Sequence, residues 1–131
     1  MLKNNLFGTY LKDKRNEKGI SLRELAKRVN ISHSYLSNLE NGKKPPPSNK
    51  LLIDIAEALS LNKESQRLLF DIAVKAKELQ RSDYTIPADI SKYLSETVAA
   101  RRFIREADNQ GCSNDFWDEI LRQLTNKNIS Q

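Results

Sequence analysis

The chain has 131 residues, 38% hydrophobic and 30% charged, with a net charge of +5. That length suits one domain, or a domain with a small appendage, and the composition suits a soluble, helix-rich protein. No apolar run nears the ~20 residues of a membrane span, the opening MLKNNLFGTYLKDK lacks the features of a signal peptide, and the single Cys112 leaves no internal disulfide, so a reducing cytoplasm is expected.

Leu6, Tyr10 and Leu11, with Phe7 beside them, recur at helical spacing and predict a first helix from about Asn5 to Lys18. Gly19 stands just past its end, where glycine closes a helix. Ser21 begins SLRE, a capping box in which the serine accepts from a backbone N–H and Glu24 reaches back. Leu22, Leu25, Ala26 and Val29 form the apolar face of a short second helix. Asn30 and Ile31 follow, and Ser32 is the N-cap of a third helix, roughly His33 to Glu40, which stops at Asn41-Gly42. KKPPP is a loop, because consecutive prolines cannot sit in a helix interior. Ser48 caps a fourth helix carrying Leu51, Leu52, Ile55, Ala56 and Leu59. Asn62 caps a fifth, with Leu68, Leu69, Ile72, Ala73, Ala76 and Leu79 as its stripe.

QRSDYTIP breaks the pattern as a connector. Beyond it, Ile90–Leu94 and Val98–Ala107 read as two short helices or one bent helix, and Gly111 ends that region. Ser113 caps a last helix with Phe116, Trp117, Ile120, Leu121 and Leu124, and TNKNISQ reads as a polar tail. No strand pattern or internal repeat is visible, so the expected class is all-α. The expected organisation is a domain over 1–80, a connector at 81–87, a small helical region at 88–125 and a tail at 126–131.

Charge separates the two halves. Residues 1–60 hold 11 Lys/Arg against 6 Asp/Glu, while residues 61–131 hold 11 of each. All of the excess positive charge lies in the first half, which suggests a polyanion-binding half and a neutral half with another task.

Within the basic half, Leu22–Asn41 forms two short helices joined by a few residues. Asn30 sits at the turn, where a residue tolerating positive φ is needed. Ala26 is small enough to let the next helix cross closely. Leu25, Val29, Ile31, Leu36 and Leu39 would fill the angle, which is the helix-turn-helix pattern.

SLRELAKRVNISHSYLSNLENGKKPPP resembles the Xre group of helix-turn-helix proteins, which includes the lambda-type phage repressors and Cro proteins. The resemblance covers about residues 6–78. Leu25, Ala26, Val29, Leu36, Leu39 and the LENG at Leu39–Gly42 fall where that family places them, whereas Asn30 stands where the family usually has Gly. At Leu22 some relatives carry a polar residue that contacts phosphate. The resemblance implies a five-helix DNA-binding domain whose third helix lies in the major groove of double-stranded DNA. It also implies that Arg15 and Glu40 tie the first helix to the third, a structural role.

The residues of that helix suit the task. Base edges present donors and acceptors, so a reading face needs short or medium polar side chains. The candidates for base contact are His33, Ser34, Tyr35, Ser37 and Asn38, none of them acidic. Asn38 can pair bidentately with adenine, and the Tyr35 ring can pack on a thymine methyl. The candidates for phosphate contact are Ser32, Asn41, Lys43, Lys44 and Asn49, with Lys27 and Arg28 flanking. Such contacts position the protein without reading sequence.

Nothing in the sequence suggests an enzyme, a metal site or a cofactor. One His and one Cys have no companion set, and four scattered glycines make neither a phosphate loop nor a dinucleotide fingerprint. Asp115, Asp118 and Glu119 fall in the first turns of the last helix, where negative charge favours the dipole. The segment after Pro87 is too short for a peptidase domain or a roomy ligand pocket, and is expected to be too small to fold alone. The expected role is a homodimeric transcription repressor on a palindromic operator, with Phe116, Trp117 and Ile120 at the dimer interface. The alternative is a protein-interaction module, such as an antitoxin or a mobile-element inhibitor, whose helix-turn-helix half regulates its own operon.

Overall fold

In the computed structural model, which describes residues 5–78 and 86–129, the described residues form eight α-helices and no strand. They are α1 (Leu6–Glu17), α2 (Leu22–Arg28), α3 (His33–Glu40), α4 (Asn49–Ala58), α5 (Lys63–Glu78), α6 (Ala88–Glu96), α7 (Val98–Asn109) and α8 (Asn114–Ile129). The protein is all-α, as expected. The expected connector falls outside the described residues apart from Ile86 and Pro87, and so does Leu79. Ile90 and Val98 stand on two separate helices with Thr97 between them. At the other end, α8 continues through Ile129 into the stretch read as a tail.

Local chemistry sets the helix ends. The side chains of Asn5, Ser21, Ser32, Ser48 and Asn62 each accept from the backbone N–H three residues on, at 2.8–3.3 Å. This satisfies donors that the first helical turn leaves without partners. The SLRE box closes only by half, because the Glu24 carboxylate accepts from Arg28 at 3.1 Å instead. At their C-termini α1, α2, α3, α4 and α7 share one device. The next residues fold back to give paired backbone bonds around a residue at positive φ: Gly19, Asn30, Gly42, Ser60 and Gly111.

The chain divides into two compact units, Met1–Lys92 and Tyr93–Gln131. The first encloses a continuous core of Phe7, Leu11, Leu25, Ala26, Leu36, Leu39, Leu52, Ile55, Leu59, Leu69, Phe70 and Ala73 with their neighbours. Ala88, at the start of α6, belongs to that core. Two phases differ from the sequence expectation. Phe7 is core and Leu6 is exposed; on α5, Phe70 is buried and Leu68 exposed. In LF and RLLFDI runs, adjacent apolar residues fit more than one helical phase, and only the neighbouring helix selects between them.

Candidate nucleic-acid interface

The turn between α2 and α3 is built by Asn30. At φ 59° it reverses the chain, its N–H donates to the Lys27 carbonyl at 3.2 Å, and the Ile31 N–H donates to the Ala26 carbonyl at 3.0 Å. Asparagine is the residue other than glycine that best tolerates this backbone. Ala26 is buried beneath the crossing, and Ile31 packs on the same core.

α3 presents two faces. Leu36, Leu39 and Glu40 are buried and seat the helix. Ser34, Ser37, Asn38 and Asn41 lie on the opposite side, at a spacing of three and four residues. Ser32, His33 and Ser34 are exposed at the N-terminal end; Ser37 and Asn38 are half-buried a turn later. Asn41 Nδ2 donates to Ser37 Oγ at 3.3 Å, which orients both side chains. Tyr35 stands at the border of the two faces, half-buried against the core.

Lys43 and Lys44 follow Gly42, which adopts φ 76°, and both are exposed. Pro47 is buried at the end of the same loop. Asn49, the first residue of α4, is half-buried. Of the flanking residues, Lys27 is exposed, whereas Arg28 is engaged within its own domain by Glu24 and by the Ala58 carbonyl at 3.3 Å.

A buried ion pair fixes α3 to α1. Arg15 Nε donates to Glu40 Oε2 at 2.7 Å, Nη2 donates to Oε1 at 3.0 Å, and Nη1 donates to the Ile20 carbonyl at 3.0 Å. The fork geometry matches the planar guanidinium to the carboxylate. The hydrogen bond to Glu40 holds the Arg15 guanidinium above its ordinary pKa.

Sequence reasoning missed two residues here. Asn5 Nδ2 donates to the Glu40 carbonyl at 2.8 Å, and a Cβ on Gly8 would collide with that same carbonyl. The available signal was Gly8 itself, since a glycine inside a helical pattern costs stability and so marks a close approach.

In the second unit, Phe116, Trp117 and Ile120 are half-buried. Phe103, Phe116 and Trp117 pack on one another, with centroid separations of 6.4, 5.6 and 5.2 Å. Cys112, half-buried, lines a shallow pocket with Phe103, Ala107 and Phe116. Among the described residues no group of three or more His, Cys, Asp or Glu is placed to hold a metal ion, and no helix is long and apolar enough to cross a membrane.

Five capped helices around one core, with a buried α2–α3 crossing, define a helix-turn-helix protein. A helix-turn-helix family model matches residues 11–64. Over 62 residues the chain is 42% identical to the ImmF control region 10 kDa protein of Bacillus phage phi105, spanning 47% of this chain and 68% of that protein. The clp gene regulator ClgR from C. glutamicum is 32% identical, covering 59% of this chain and 91% of that one, with a TM-score of 0.42. The SinR protein/SinI protein complex is 25% identical, covering 96% and 100%, with a TM-score of 0.45. The chain belongs to the Xre, or lambda-type, helix-turn-helix family of DNA-binding transcription regulators.

Proposed function

We propose that the protein is a homodimeric repressor that reads a palindromic DNA operator through the outer face of α3. The observation that carries this reading is the face itself: Ser34, Ser37, Asn38 and Asn41 stand outward, free of acidic groups, directly behind the buried Leu36, Leu39 and Glu40. A helix so anchored can enter the major groove as a rigid body. His33, Ser34, Tyr35, Ser37 and Asn38 then meet base edges, while Ser32, Asn41, Lys43, Lys44 and Asn49 hold phosphates. The phage relative is named for a control region, which accords with a regulatory role.

The second unit supplies the dimer contact in this proposal. Ala107 is its one buried apolar residue among those described, and Val98, Phe103, Ile104, Leu121 and Leu124 are exposed. A second copy would cover Ile120 with Leu121 and Leu124, beside the half-exposed Phe116 and Trp117. Exposed Arg102 and Arg105 lie on α7 and exposed Asp115 and Asp118 on α8, so a two-fold pairing of α7 on the partner's α8 joins opposite charges. Two linked reading helices bind with an avidity ~10²–10⁴ above one. The same open face supports a second reading, in which another protein covers it, as in an antitoxin or a mobile-element inhibitor.

Binding-site selection tests the reading face. Asn38→Ala is expected to cost ~1–3 kcal/mol on the operator and to relax preference at one position per half-site. Lys43→Ala is expected to weaken all sequences alike. An unchanged motif after Asn38→Ala would refute the placement of the face. Light scattering of the purified protein separates the two uses of the second unit: a monomer at tens of micromolar removes the homodimer and leaves the partner-binding reading.

A further inference from the structure

The C-terminal end of a helix leaves its last carbonyls without intrahelical partners. In α3 the chain that follows satisfies three of them. The Ser37 carbonyl accepts from Asn41 N–H at 3.0 Å, the Asn38 carbonyl from Lys43 N–H at 2.9 Å, and the Leu39 carbonyl from Gly42 N–H at 3.4 Å. The fourth, on Glu40, accepts instead from the Asn5 side chain, 35 residues away, at 2.8 Å. The same side chain caps α1, its Oδ1 accepting from the Gly8 N–H at 3.2 Å. One amide therefore completes the start of α1 and the end of α3 together.

Two glycines make room for it. A Cβ on Gly8 would strike the Glu40 carbonyl oxygen, and a Cβ on Gly42 would lie 2.7 Å from Asn5 Cγ. Gly42 also needs its φ of 76° to send the chain on toward Lys43 and Lys44. Glu40 is seated from its other end by Arg15. The side chain of Glu40 is thus fixed at one point and its carbonyl at another, and together they set both the tilt of α3 and the start of the lysine loop.

We propose that Asn5 is a positioning residue for DNA recognition: its amide locks the end of α3 and the Lys43–Lys44 loop in the geometry that lets base and phosphate contacts form at once. This rests on the assignment of α3 as the reading helix. Asn5 itself touches no base. Its loss leaves the reading residues present but lets the helix end and the loop shift relative to each other. A specific complex needs both sets of contacts in register, whereas non-specific attraction to phosphate does not.

Asn5→Ser isolates the effect in the full-length chain. Serine caps a helix as well as asparagine does, so α1 keeps its start. Its hydroxyl is one bond shorter and cannot span to Glu40. The expected result is a melting temperature lower by only a few degrees, since one net internal hydrogen bond is lost, an operator affinity lower by about tenfold, and a non-specific duplex affinity little changed. Amide hydrogen exchange at Gly42 and Lys43 should quicken while Leu36 and Leu39 stay protected. Asn5→Gln retains the amide one bond further out and should recover part of the selectivity. Operator affinity and exchange equal to wild type in Asn5→Ser overturn the proposal while the assignment of α3 stands. An equal loss on operator and non-specific DNA overturns it too, since that pattern is general destabilisation. A wild-type protein that selects no duplex sequence overturns the assignment of α3 and, with it, the positioning role.

Discussion

The two compact units are built from the same materials and end differently. Both are amphipathic helices ended by a residue at positive φ, Gly111 in the second as Gly19, Asn30, Gly42 and Ser60 in the first. In the first unit the apolar faces close on one another: Leu11, Leu25, Leu36, Leu39 and Ile55 are each 0% exposed. In the second, Leu121 is 62% and Leu124 59% exposed. Both units are helical, but a hydrophobic core needs enough faces to enclose a volume. Five helices, with the start of α6, provide them. α7 and α8, with an aromatic trio between them, do not.

Ion pairs offer the largest test of this contrast. Glu40→Ala leaves Arg15 charged and buried, and is expected to destabilise the first unit by ~3–5 kcal/mol. Glu119→Ala removes the exposed pair of Glu119 with Arg122, and is expected to cost under ~1 kcal/mol. Denaturant titration followed by circular dichroism checks both. Similar costs would mean that the two units differ less in burial than the structure indicates.

Core truncation comes next. Leu36→Ala should cost ~2–5 kcal/mol at any protein concentration, through lost transfer energy and a cavity. Leu124→Ala tests the proposed dimer: it should leave the melting temperature of the dilute protein unchanged and lower it at concentrations where two chains pair, because its exposed side chain would gain burial from the second copy. Melting curves over a hundredfold range of concentration distinguish the two. A concentration-independent loss for Leu124→Ala would show that the second unit is closed on itself.

The smallest effects concern the shared terminators. Ser60 holds φ 50° without the freedom of glycine, so Ser60→Gly should stabilise the first unit by ~1 kcal/mol. Gly111→Ala forces the same strain into the second unit, where a Cβ meets nothing within 4 Å. A loss of ~1–2 kcal/mol in the helical signal of α7 and α8 is expected, from backbone strain alone. Opposite signs for these two changes would confirm that one backbone device serves both units.

Much of this was legible in the chain. The caps at Ser21, Ser32, Ser48 and Asn62 stood out because a short polar side chain before an apolar run has a local job, and local jobs depend on neighbours in sequence. Asn30 was legible for the same reason. The bounds of α3, His33 to Glu40, followed from a cap at one end and Asn41-Gly42 at the other. The Arg15–Glu40 tie came through resemblance to the family, and its buried fork then took shape in the fold.

Sequence by itself therefore determined the first five helices, the caps of α2 to α5, the crossing of α2 and α3 and the uncharged polar face that follows from their order, while it left α6 and α7 open as one helix or two and read the end of α8 as a tail. Tertiary structure alone decided which member of each adjacent apolar pair faces the core, Phe7 over Leu6 and Phe70 over Leu68. It alone joined Asn5 to Glu40 across 35 residues. The physical reason is range. Capping and backbone reversal act within a helical turn and leave their mark in adjacent residues, whereas the phase of a packed face and a bond between distant helices exist only once the chain has brought those helices together.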